Sequence, residues 1–282
     1  MQALAHAKIN LSLRVGSLRD DGFHPLHSLF QSISWSDRLE LDRADADEIA
    51  GWDGEQVPDG RDNLAWRAVV AMRDAVGARA AVRLRLKKVI PVAAGLGGGS
   101  ADAAAALQLA RRAMGGATDL VAALAPELGS DVPFCIRGGT AVVSGRGEIV
   151  APLEPHGGYG VALVVPPVEL ETPRVFAAWD RLGEPRGPEV APRHLPPVLR
   201  SHGPLVNDLY PAAASLAARL DDWRDELAAA WGRPAIMSGS GPTLFALFLD
   251  AAEAEAALDV VPPGARAAHA AEPLSEGWRF DD

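Results

Sequence analysis

The chain of 282 residues contains a single cysteine, Cys135. One thiol can form neither an intramolecular disulfide framework nor a cysteine-based zinc site, so neither can stabilise the fold. Proteins without disulfides are usual in the reducing cytosol. We therefore expect a cytoplasmic location and a fold that depends on an apolar core.

Long apolar runs are missing as well. No stretch approaches the roughly 20 apolar residues that span a bilayer. The N-terminal string MQALAHAKINLSLRVG alternates too strongly between apolar and polar residues to be a signal peptide. With 48% hydrophobic residues, the chain is long enough for one large or two modest domains with cores of their own. We expect no contact with a membrane.

Positive charge is in short supply. The 27 Lys and Arg residues are outnumbered by 37 Asp and Glu residues, which gives a net charge of −10. This balance argues against a nucleic-acid partner. A small polyanion would also approach against the overall field, so its site needs local groups such as Lys8, Lys87, Lys88 and backbone amides.

Glycine, in contrast, is concentrated between residues 91 and 116. Residues 81–88, AVRLRLKK, alternate apolar and basic residues, which is typical of a strand. The stretch PVAAGLGGGSADAAAALQLARRAM follows, and Gly115 and Gly116 supply a helix stop. The sequence therefore predicts the order strand, glycine loop, helix.

This order suits the binding of a phosphate group. Glycines let backbone N–H groups approach an anion closely, and the N-terminus of a helix favours negative charge. Ser100, at the predicted junction, could cap the helix or contact a phosphate or its metal ion. The predicted phosphate-binding residues are Pro91, Val92, Ala93, Ala94, Gly95, Leu96, Gly97, Gly98, Gly99, Ser100 and Ala101.

Two common phosphate loops do not match. A Walker A loop has a lysine between its last glycine and the Ser or Thr, whereas Ser100 follows Gly99 directly. A dinucleotide fingerprint needs wider glycine spacing and a later acidic residue. A flexible glycine turn before a surface helix stays open as an alternative.

The string IPVAAGLGGGSA resembles the ATP loop of the GHMP kinases, the superfamily of galactokinase, homoserine kinase and mevalonate kinase. The resemblance implies an α/β (α+β) two-domain fold. Residues 1–153 would form an ATP-binding domain like domain 2 of ribosomal protein S5, and residues 160–282 a ferredoxin-like domain. It also implies ATP as cosubstrate. Mg²⁺ is expected from the chemistry of ATP, bound through Ser100 and the phosphates. No cluster of metal-ligating residues in the sequence specifies it.

Two further strings resemble one branch of that superfamily, the 4-diphosphocytidyl-2-C-methylerythritol kinases. AKINLSLRVG contains Lys8 and Asn10, and DGFHPLHSLFQ contains Phe23 and His24. The resemblance implies that Lys8 is catalytic and that the other three residues contact the acceptor, with Phe23 stacking on a base. A solvated strand lysine and an apolar plug beside a surface histidine are the alternatives.

The string LGSDVP resembles the branch motif whose aspartate is the catalytic base, which implies that role for Asp131. A turn or helix-cap aspartate is the alternative. The resemblance also implies that Lys8 lies beside Asp131. Asp131 and Lys8 are thus the candidate catalytic residues.

Three other segments fit the same branch. Asn63, in Asp-Asn-Leu, is expected near the nucleotide, although capping of the next helix is equally plausible. Thr172 and Phe176, in Thr-Pro-x-x-Phe, are expected at the acceptor, with Phe176 sandwiching a base against Phe23 or packing in the core. MSGSGPTLFALFL resembles the third superfamily motif, a second glycine loop between two strands.

The spacing of apolar residues predicts several elements. Residues 3–15 read as a strand and residues 63–77 as a helix, capped by Asp62 or Asn63 and ended by Gly77. Residues 134–137 and 140–144 read as strands of a hairpin. Residues 212–231 read as one long helix, and Thr172 as the N-cap of another.

The sequence thus predicts an ATP-dependent kinase that phosphorylates the 2-hydroxyl of 4-diphosphocytidyl-2-C-methylerythritol, in the non-mevalonate synthesis of isoprenoid (terpenoid) precursors. Another GHMP kinase, of the homoserine or mevalonate type, and a non-catalytic nucleotide sensor on the same fold are the alternatives. Asp102 and Phe23 depart from the branch, which more often has Asn and Tyr there. We expect a small-molecule acceptor and a monomer or weak homodimer.

Overall fold

The computed structural model describes residues 1–52 and 60–281, and within them the chain forms two β-sheets covered by helices. The eight described strands of the first sheet are β1 (Gln2–Val15), β2 (Leu26–Arg43), β3 (Glu48–Gly51), β4 (Val82–Lys87), β5 (Thr140–Gly145), β6 (Ile149–Pro152), β11 (Pro273–Leu274) and β12 (Trp278–Phe280). They follow the mainly antiparallel order β12-β1-β2-β4-β3, with β11, β5 and β6 attached through β2 and β5.

The long strand β1 is the centre of the molecule. Its odd-numbered residues from Ala3 to Leu11 are fully buried in the core, as the alternation predicts. Lys8 and Asn10, on the other face, are also buried. Because both faces of β1 are covered at its centre, these two polar side chains lie inside the protein.

Four helices cover one side of this sheet: α1 (Leu64–Val76), α2 (Gly98–Met114), α3 (Thr118–Leu128) and α4 (Val132–Arg137). The Asn63 side chain caps α1 by accepting from the amides of Ala65 and Trp66, and Gly77 ends the helix in the left-handed conformation. This helix prediction is therefore confirmed. The alanines of α2 let it lie close to α1 and the sheet, with ten successive residues, 101–110, buried.

The hairpin predicted across Gly138 and Gly139 is wrong. Residues 132–137 form helix α4, with Pro133 in its first turn, a position that suits proline because no N–H is needed there. Gly138 accordingly ends a helix. A Cβ on Gly138 would lie 1.8 Å from the amide nitrogen of Gly277, so this glycine permits a close approach of the C-terminal segment.

The second sheet is antiparallel, in the order β10-β7-β9-β8. Its helices and strands, in chain order, are β7 (Gly160–Val165), α5 (Thr172–Arg181), α6 (Tyr210–Leu216), α7 (Arg219–Trp231), β8 (Ile236–Met237), β9 (Leu244–Phe248), α8 (Ala251–Ala256) and β10 (Ala267–Ala271). Short 3-10 turns span Gly60–Asp62, Pro192–His194, Pro197–His202 and Ala257–Val260. The 3-10 turns at 192–194 and 197–202 are part of the proline-rich segment 183–205.

The single helix predicted over residues 212–231 is two helices. The chain leaves the helical conformation at Ala217, whose φ and ψ are −141° and 83°, and α7 begins two residues later. Both helices bury apolar side chains in the same core, including Tyr210 from α6 and Leu220 and Trp223 from α7. Alanine-rich spacing does not reveal such a break.

The last strands, β11 (Pro273–Leu274) and β12 (Trp278–Phe280), return to the first sheet and pair with β2 and β1. The predicted second domain, 160–282, therefore includes strands of the first sheet. Side chains from both sheets also meet in one buried cluster that includes Ile9 and Val161. In the described residues, no helix is both long and apolar enough to cross a membrane.

Candidate active site

A cleft of about 770 Å³ opens between the two sheets, lined by the glycine loop, by β1, by the start of α4 and by α5. Its residues therefore come from both halves of the chain. Every predicted loop residue from Pro91 to Ser100 lines this cleft. Ala101 does not, since its side chain is buried in the core.

Backbone conformation shapes the glycine loop. Gly95 and Gly97 have φ values of 77° and 68°, which favour glycine, and Ala93 adopts 53°. Helix α2 begins at Gly98 with Gly97 as its N-cap, and no side chain caps it. Of the two predicted roles of Ser100, capping the helix is therefore wrong. Ser100 lies in the first turn of α2 and lines the cleft.

A second glycine loop, residues 238–241 between β8 and β9, holds the first one. The Ser238 hydroxyl donates to the carbonyl oxygen of Gly95 (2.9 Å), and the Thr243 hydroxyl donates to that of Ala94 (2.6 Å). A Cβ on Gly95 would lie 2.3 Å from the Ser238 carbonyl oxygen, so the two loops are in direct contact. The third motif therefore fixes the shape of the glycine loop from the other sheet.

Lys8 and Asp131 meet at the floor of the cleft. The Lys8 ammonium lies 3.3 Å from a carboxylate oxygen of Asp131, and it donates to the Asn10 side-chain oxygen at 2.7 Å. Lys8 is 4% exposed and rests 4.6 Å from the centre of the Phe30 ring. Asp131 is the N-cap residue of α4, but its side chain accepts no capping hydrogen bond from that helix. Its carboxylate is therefore available for the ion pair with Lys8.

Asn63 is the N-cap of α1 and also lines the cleft. Its side-chain oxygen accepts from two amides of the helix, so the capping alternative describes its geometry. A Cβ on Gly99 would lie 3.7 Å from Leu64, the next residue. The start of α1 therefore lies beside the start of α2.

Thr172 and Phe176 line the cleft from the second sheet. The prediction that Thr172 is the N-cap of α5 is wrong: Glu171 holds that position in the extended cap conformation, and Thr172 is the first residue of the helix. The Thr172 hydroxyl lies 2.7 Å from the Ser240 hydroxyl of the second glycine loop. These two hydroxyls are neighbours at the rim of the cleft.

Of the two rings expected to sandwich a base, Phe176 lines the cleft and Phe23 does not. Phe176 stacks on His24, with ring centres 5.3 Å apart, and Trp179 meets His24 edge-on. Phe23 is 49% exposed, and its ring faces the guanidinium of Arg146 at 4.7 Å. The His24 Nδ1 atom hydrogen-bonds the Gly16 carbonyl oxygen at 3.0 Å, and the imidazole is buried. The neighbouring Phe23 ring stays on the surface.

Sequence reasoning missed Asp37, a buried carboxylate beneath the glycine loop. It contacts the Lys88 ammonium, which also donates to Asp102 at 2.6 Å. A signal exists, since Asp37 lies on the same face of β2 as the buried residues Trp35 and Leu39. An acid on a core face is costly unless it is paired.

Asp102, the departure from the branch pattern, belongs to this cluster. Its burial, together with the charge of Asp37, raises the pKa of its carboxyl to about 7, and Lys88 opposes that shift. The expected extra negative charge near the phosphates is thus largely paired inside the protein. The lone thiol, Cys135, is buried, and its burial raises its pKa, so it is not a candidate nucleophile.

Comparison with known proteins agrees with this architecture. The family model described as GHMP kinases N terminal domain matches residues 63–139, and the model described as GHMP kinases C terminal matches residues 198–263. Together the two matches come from both sheets and include the first glycine loop.

Curated relatives and solved structures are similar over nearly the whole chain. Proteins named 4-diphosphocytidyl-2-C-methyl-D-erythritol kinase from Pelotomaculum thermopropionicum and Nocardia farcinica are each 40% identical, covering 88% and 96% of this chain and 89% and 92% of their own lengths. A crystal structure of 4-(cytidine 5′-diphospho)-2C-methyl-D-erythritol kinase is 36% identical, with a TM-score of 0.82 over 97% of this chain and 99% of its own. A homoserine kinase from Cytophaga hutchinsonii shares the fold, with a TM-score of 0.69 at 17% identity, over 99% of this chain and 96% of its own.

Proposed function

The chain belongs to the GHMP kinases, in the family of the 4-diphosphocytidyl-2-C-methyl-D-erythritol kinases, and we propose that it transfers the γ-phosphoryl group of ATP to the 2-hydroxyl of that cytidine diphosphate alcohol. The two-domain fold predicted from the sequence is confirmed by this membership. The observation that carries the proposed chemistry is the ion pair between Lys8 and Asp131, 3.3 Å apart in the same cleft as the glycine loop.

Phosphoryl transfer to an alcohol needs a positioned hydroxyl, removal of its proton and cations or amides around the transferring group. We assign removal of the proton to the Asp131 carboxylate, which is 28% exposed toward the cleft and can reach an acceptor there. Lys8 holds that carboxylate in place and adds positive charge where the alkoxide develops. Asn10 fixes the Lys8 ammonium, since its oxygen accepts a hydrogen bond from it.

The glycine loop, residues 91–101, would bind the ATP phosphates through the backbone N–H groups of residues 92–100, at the N-terminus of α2. Pro91 has no N–H, and that of Ala101 donates to the Gly97 carbonyl oxygen. Such preorganised donors stabilise developing negative charge without rearrangement during the reaction. Asn63 and Leu64 would contact the nucleoside beside the loop. This arrangement supplies local positive potential in a chain whose net charge is −10.

Mg²⁺ would accompany the ATP. In the described residues, no group of three or more His, Cys, Asp and Glu side chains could hold a metal ion, so the phosphates would carry most of its coordination. The Ser100 hydroxyl, in the first turn of α2 and facing the cleft, fits as its protein contact. When bound, the ion neutralises charge on the β- and γ-phosphates.

The acceptor would lie between Asp131 and α5. Thr172, Phe176, Phe23 and His24 are the proposed contacts to its cytidine part, with Asn10 near the reacting end. Aromatic rings suit a nucleobase because every base presents a π-face for stacking. His24, which stacks on Phe176, would hold that ring in place beside the base.

Purified protein incubated with ATP, Mg²⁺ and the cytidine diphosphate alcohol tests the proposal, with homoserine and mevalonate in parallel. Phosphorylation of the cytidine compound alone is expected. Transfer to either other acceptor would keep the kinase chemistry and reject the proposed acceptor site. ATP binding without transfer to any acceptor would instead support a nucleotide sensor.

We also retain the other sequence-based expectations as proposals: a small-molecule acceptor and no nucleic-acid partner, a cytoplasmic location, and a monomer or weak homodimer. We also propose the domain limits 1–153 and 160–282. The strands β11 and β12 of the second segment pair with the first sheet.

A further inference from the structure

One ammonium and two carboxylates cluster beside the glycine loop: the partly buried Lys88 and the buried Asp37 and Asp102. Lys88 and Asp102 also line the cleft. Asp37 is fully buried on strand β2, Lys88 directly follows β4, and Asp102 lies in the first turns of α2. Three elements therefore meet at this cluster. The proposed chemistry uses none of the three side chains.

Asp37 holds the start of the loop. One of its carboxylate oxygens accepts from the amides of Val89 (2.5 Å) and Ile90 (2.8 Å), and the other accepts from the Lys88 ammonium. Hydrogen bonds from amides to a carboxylate are shorter and stronger than neutral ones. The two residues before Pro91 are thus fixed by a single side chain from a neighbouring strand.

Lys88 joins the start of the loop to its end. Its ammonium donates to Asp102, 14 residues further along, across 2.6 Å. A Cβ on Gly98 would lie 3.6 Å from the same nitrogen, so the ammonium sits at the first residue of α2. The hydrogen bond between Lys88 and Asp102 therefore joins the two ends of the segment that contains the glycine loop.

The cluster is a poor device for stability alone. Two buried carboxylates share one ammonium, and desolvation of buried charges often costs more than their attraction returns. Apolar side chains of similar volume often stabilise such a junction at least as well. The charged cluster contributes something else: it fixes the position of the backbone amides at the start of the loop.

We infer that Asp37 is a positioning residue for ATP: through Lys88 and the amides of Val89 and Ile90 it holds the glycine loop in its phosphate-binding shape before the nucleotide arrives. The inference rests on the proposed binding of ATP by this loop. A loop that is ordered in advance does not lose conformational entropy on binding, so the ligand binds more tightly. The hydroxyls of Ser238 and Thr243 fix the middle of the same loop from the other sheet.

The variant Asp37→Asn tests this inference because the amide keeps the shape of the side chain but loses its charge. Asp42→Asn is the matched control, since Asp42 lies on the same strand and pairs with Arg85 and the N-terminal amine, away from the cleft. We expect the Kd and the KM of ATP to rise about tenfold in Asp37→Asn, the size of one charged hydrogen bond. The KM of the acceptor and kcat should stay within about threefold.

Hydrogen exchange gives an independent readout. In nucleotide-free Asp37→Asn, the amides of residues 92–97 should exchange faster than in the unmodified chain, and saturating ATP should remove the difference. If Asp37→Asn does not fold, Asp102→Asn takes its place, because it removes the charge from the bond with Lys88 and leaves the amides of Val89 and Ile90 paired with Asp37. A rise in the Kd of ATP of about threefold is then expected.

Unchanged ATP affinity in folded Asp37→Asn, or in Asp102→Asn where the first variant fails to fold, would overturn the inference. Equal losses for ATP and for the acceptor would also do so, because they would indicate general disruption. ATP binding is measured without the acceptor, so this test is valid even if the proposed acceptor is wrong. Unchanged ATP binding would likewise say nothing against the proposed acceptor.

Discussion

At Asp131, one carboxylate has an ion pair with Lys8 and no capping hydrogen bond to its own helix. Asp131→Asn keeps the size of the side chain and removes the proposed base. We expect kcat to fall by about 10²–10⁴, the usual contribution of general-base catalysis, with little change in the affinities for ATP and acceptor. Steady-state kinetics and direct binding measurements check this.

Asp119→Asn is the control for that variant, since Asp119 lies in the first turn of α3, outside the residues that line the cleft. Its kcat should match that of the unmodified chain. A kcat of Asp131→Asn within about threefold of the unmodified value would remove Asp131 from its proposed role.

His6 makes stability depend on pH. It is 3% exposed, its Nδ1 atom lies 2.6 Å from the Ser36 hydroxyl, and burial, aided by Arg279, lowers its pKa from 6.5 to about 4. The folded state therefore favours neutral His6. This contribution to stability is complete above pH 6.5 and is lost as the pH falls from 6.5 toward 4, by up to about 3 kcal/mol.

Urea unfolding at pH 7.5, 6 and 5 measures this effect, with His6→Asn as the comparison because it cannot titrate. The free energy of unfolding should fall more steeply with acid in the unmodified chain than in the variant. Parallel curves for the two proteins would contradict the assignment to His6, since other titrating groups are common to both.

At the scale of elements, the glycine loop depends on the space beneath Gly97. A Cβ there would lie 2.9 Å from the Lys8 side chain, and the φ of 68° already strains any other residue. Gly97→Ala should therefore displace both the loop and Lys8, and we expect kcat/KM for ATP to fall at least about tenfold. Kinetics with varied ATP checks it.

Gly77→Ala separates strain from steric contact. Gly77 has a similar φ of 66°, nothing within 4 Å of an added Cβ, and ends α1 away from the cleft. It should lose about 1 kcal/mol of stability with unchanged kcat/KM. Equal kinetic losses in the two variants would show that strain alone explains Gly97→Ala.

The elements with strong local signals are those that the sequence predicts well. Helix α1 has apolar periodicity, a capping Asn63 and a terminal Gly77, and the structure agrees at both ends. The order of β4, glycine loop and α2 also follows from local pattern. These features depend on residues close in the chain, which a sequence displays directly.

Elements that depend on distant contacts are predicted poorly. Helix α4 resembles a strand in sequence, yet it packs where Gly138 meets Gly277 from the C-terminal end. The break at Ala217 reflects packing of two helices on one core. The candidate site is similar: the family motifs locate Lys8, Asp131 and the glycine loop, which line the cleft, whereas Asp37 and the stacking of His24 on Phe176 arise from the fold.

At the scale of the whole molecule, the C-terminal strands tie the two sheets together. Gly277 lies where a Cβ would approach the Cys135 carbonyl oxygen to 2.0 Å, next to the pairing of β12 with β1. Gly277→Ala should separate this contact and lower stability by about 1–3 kcal/mol, as overpacking does. Thermal unfolding followed by circular dichroism measures it.

Gly157→Ala is the control, because nothing lies within 4 Å of an added Cβ in that linker position. Its Tm should stay within a few degrees of the unmodified value. If Gly277→Ala were as stable as Gly157→Ala, the return of the C-terminal strands would not be a tight contact.

The proposed reaction is tested most directly by the position of the phosphate in the product, read by ³¹P NMR of the reaction with ATP and the cytidine diphosphate alcohol. The 2-carbon carries a methyl group and no hydrogen, so a phosphate on its hydroxyl has no three-bond coupling to a proton. We predict a new monoester signal that is a singlet. A triplet, from the terminal CH₂ hydroxyl, or a doublet, from the neighbouring CH hydroxyl, would contradict the proposed acceptor geometry at Asp131, and the absence of any new monoester would contradict the reaction itself.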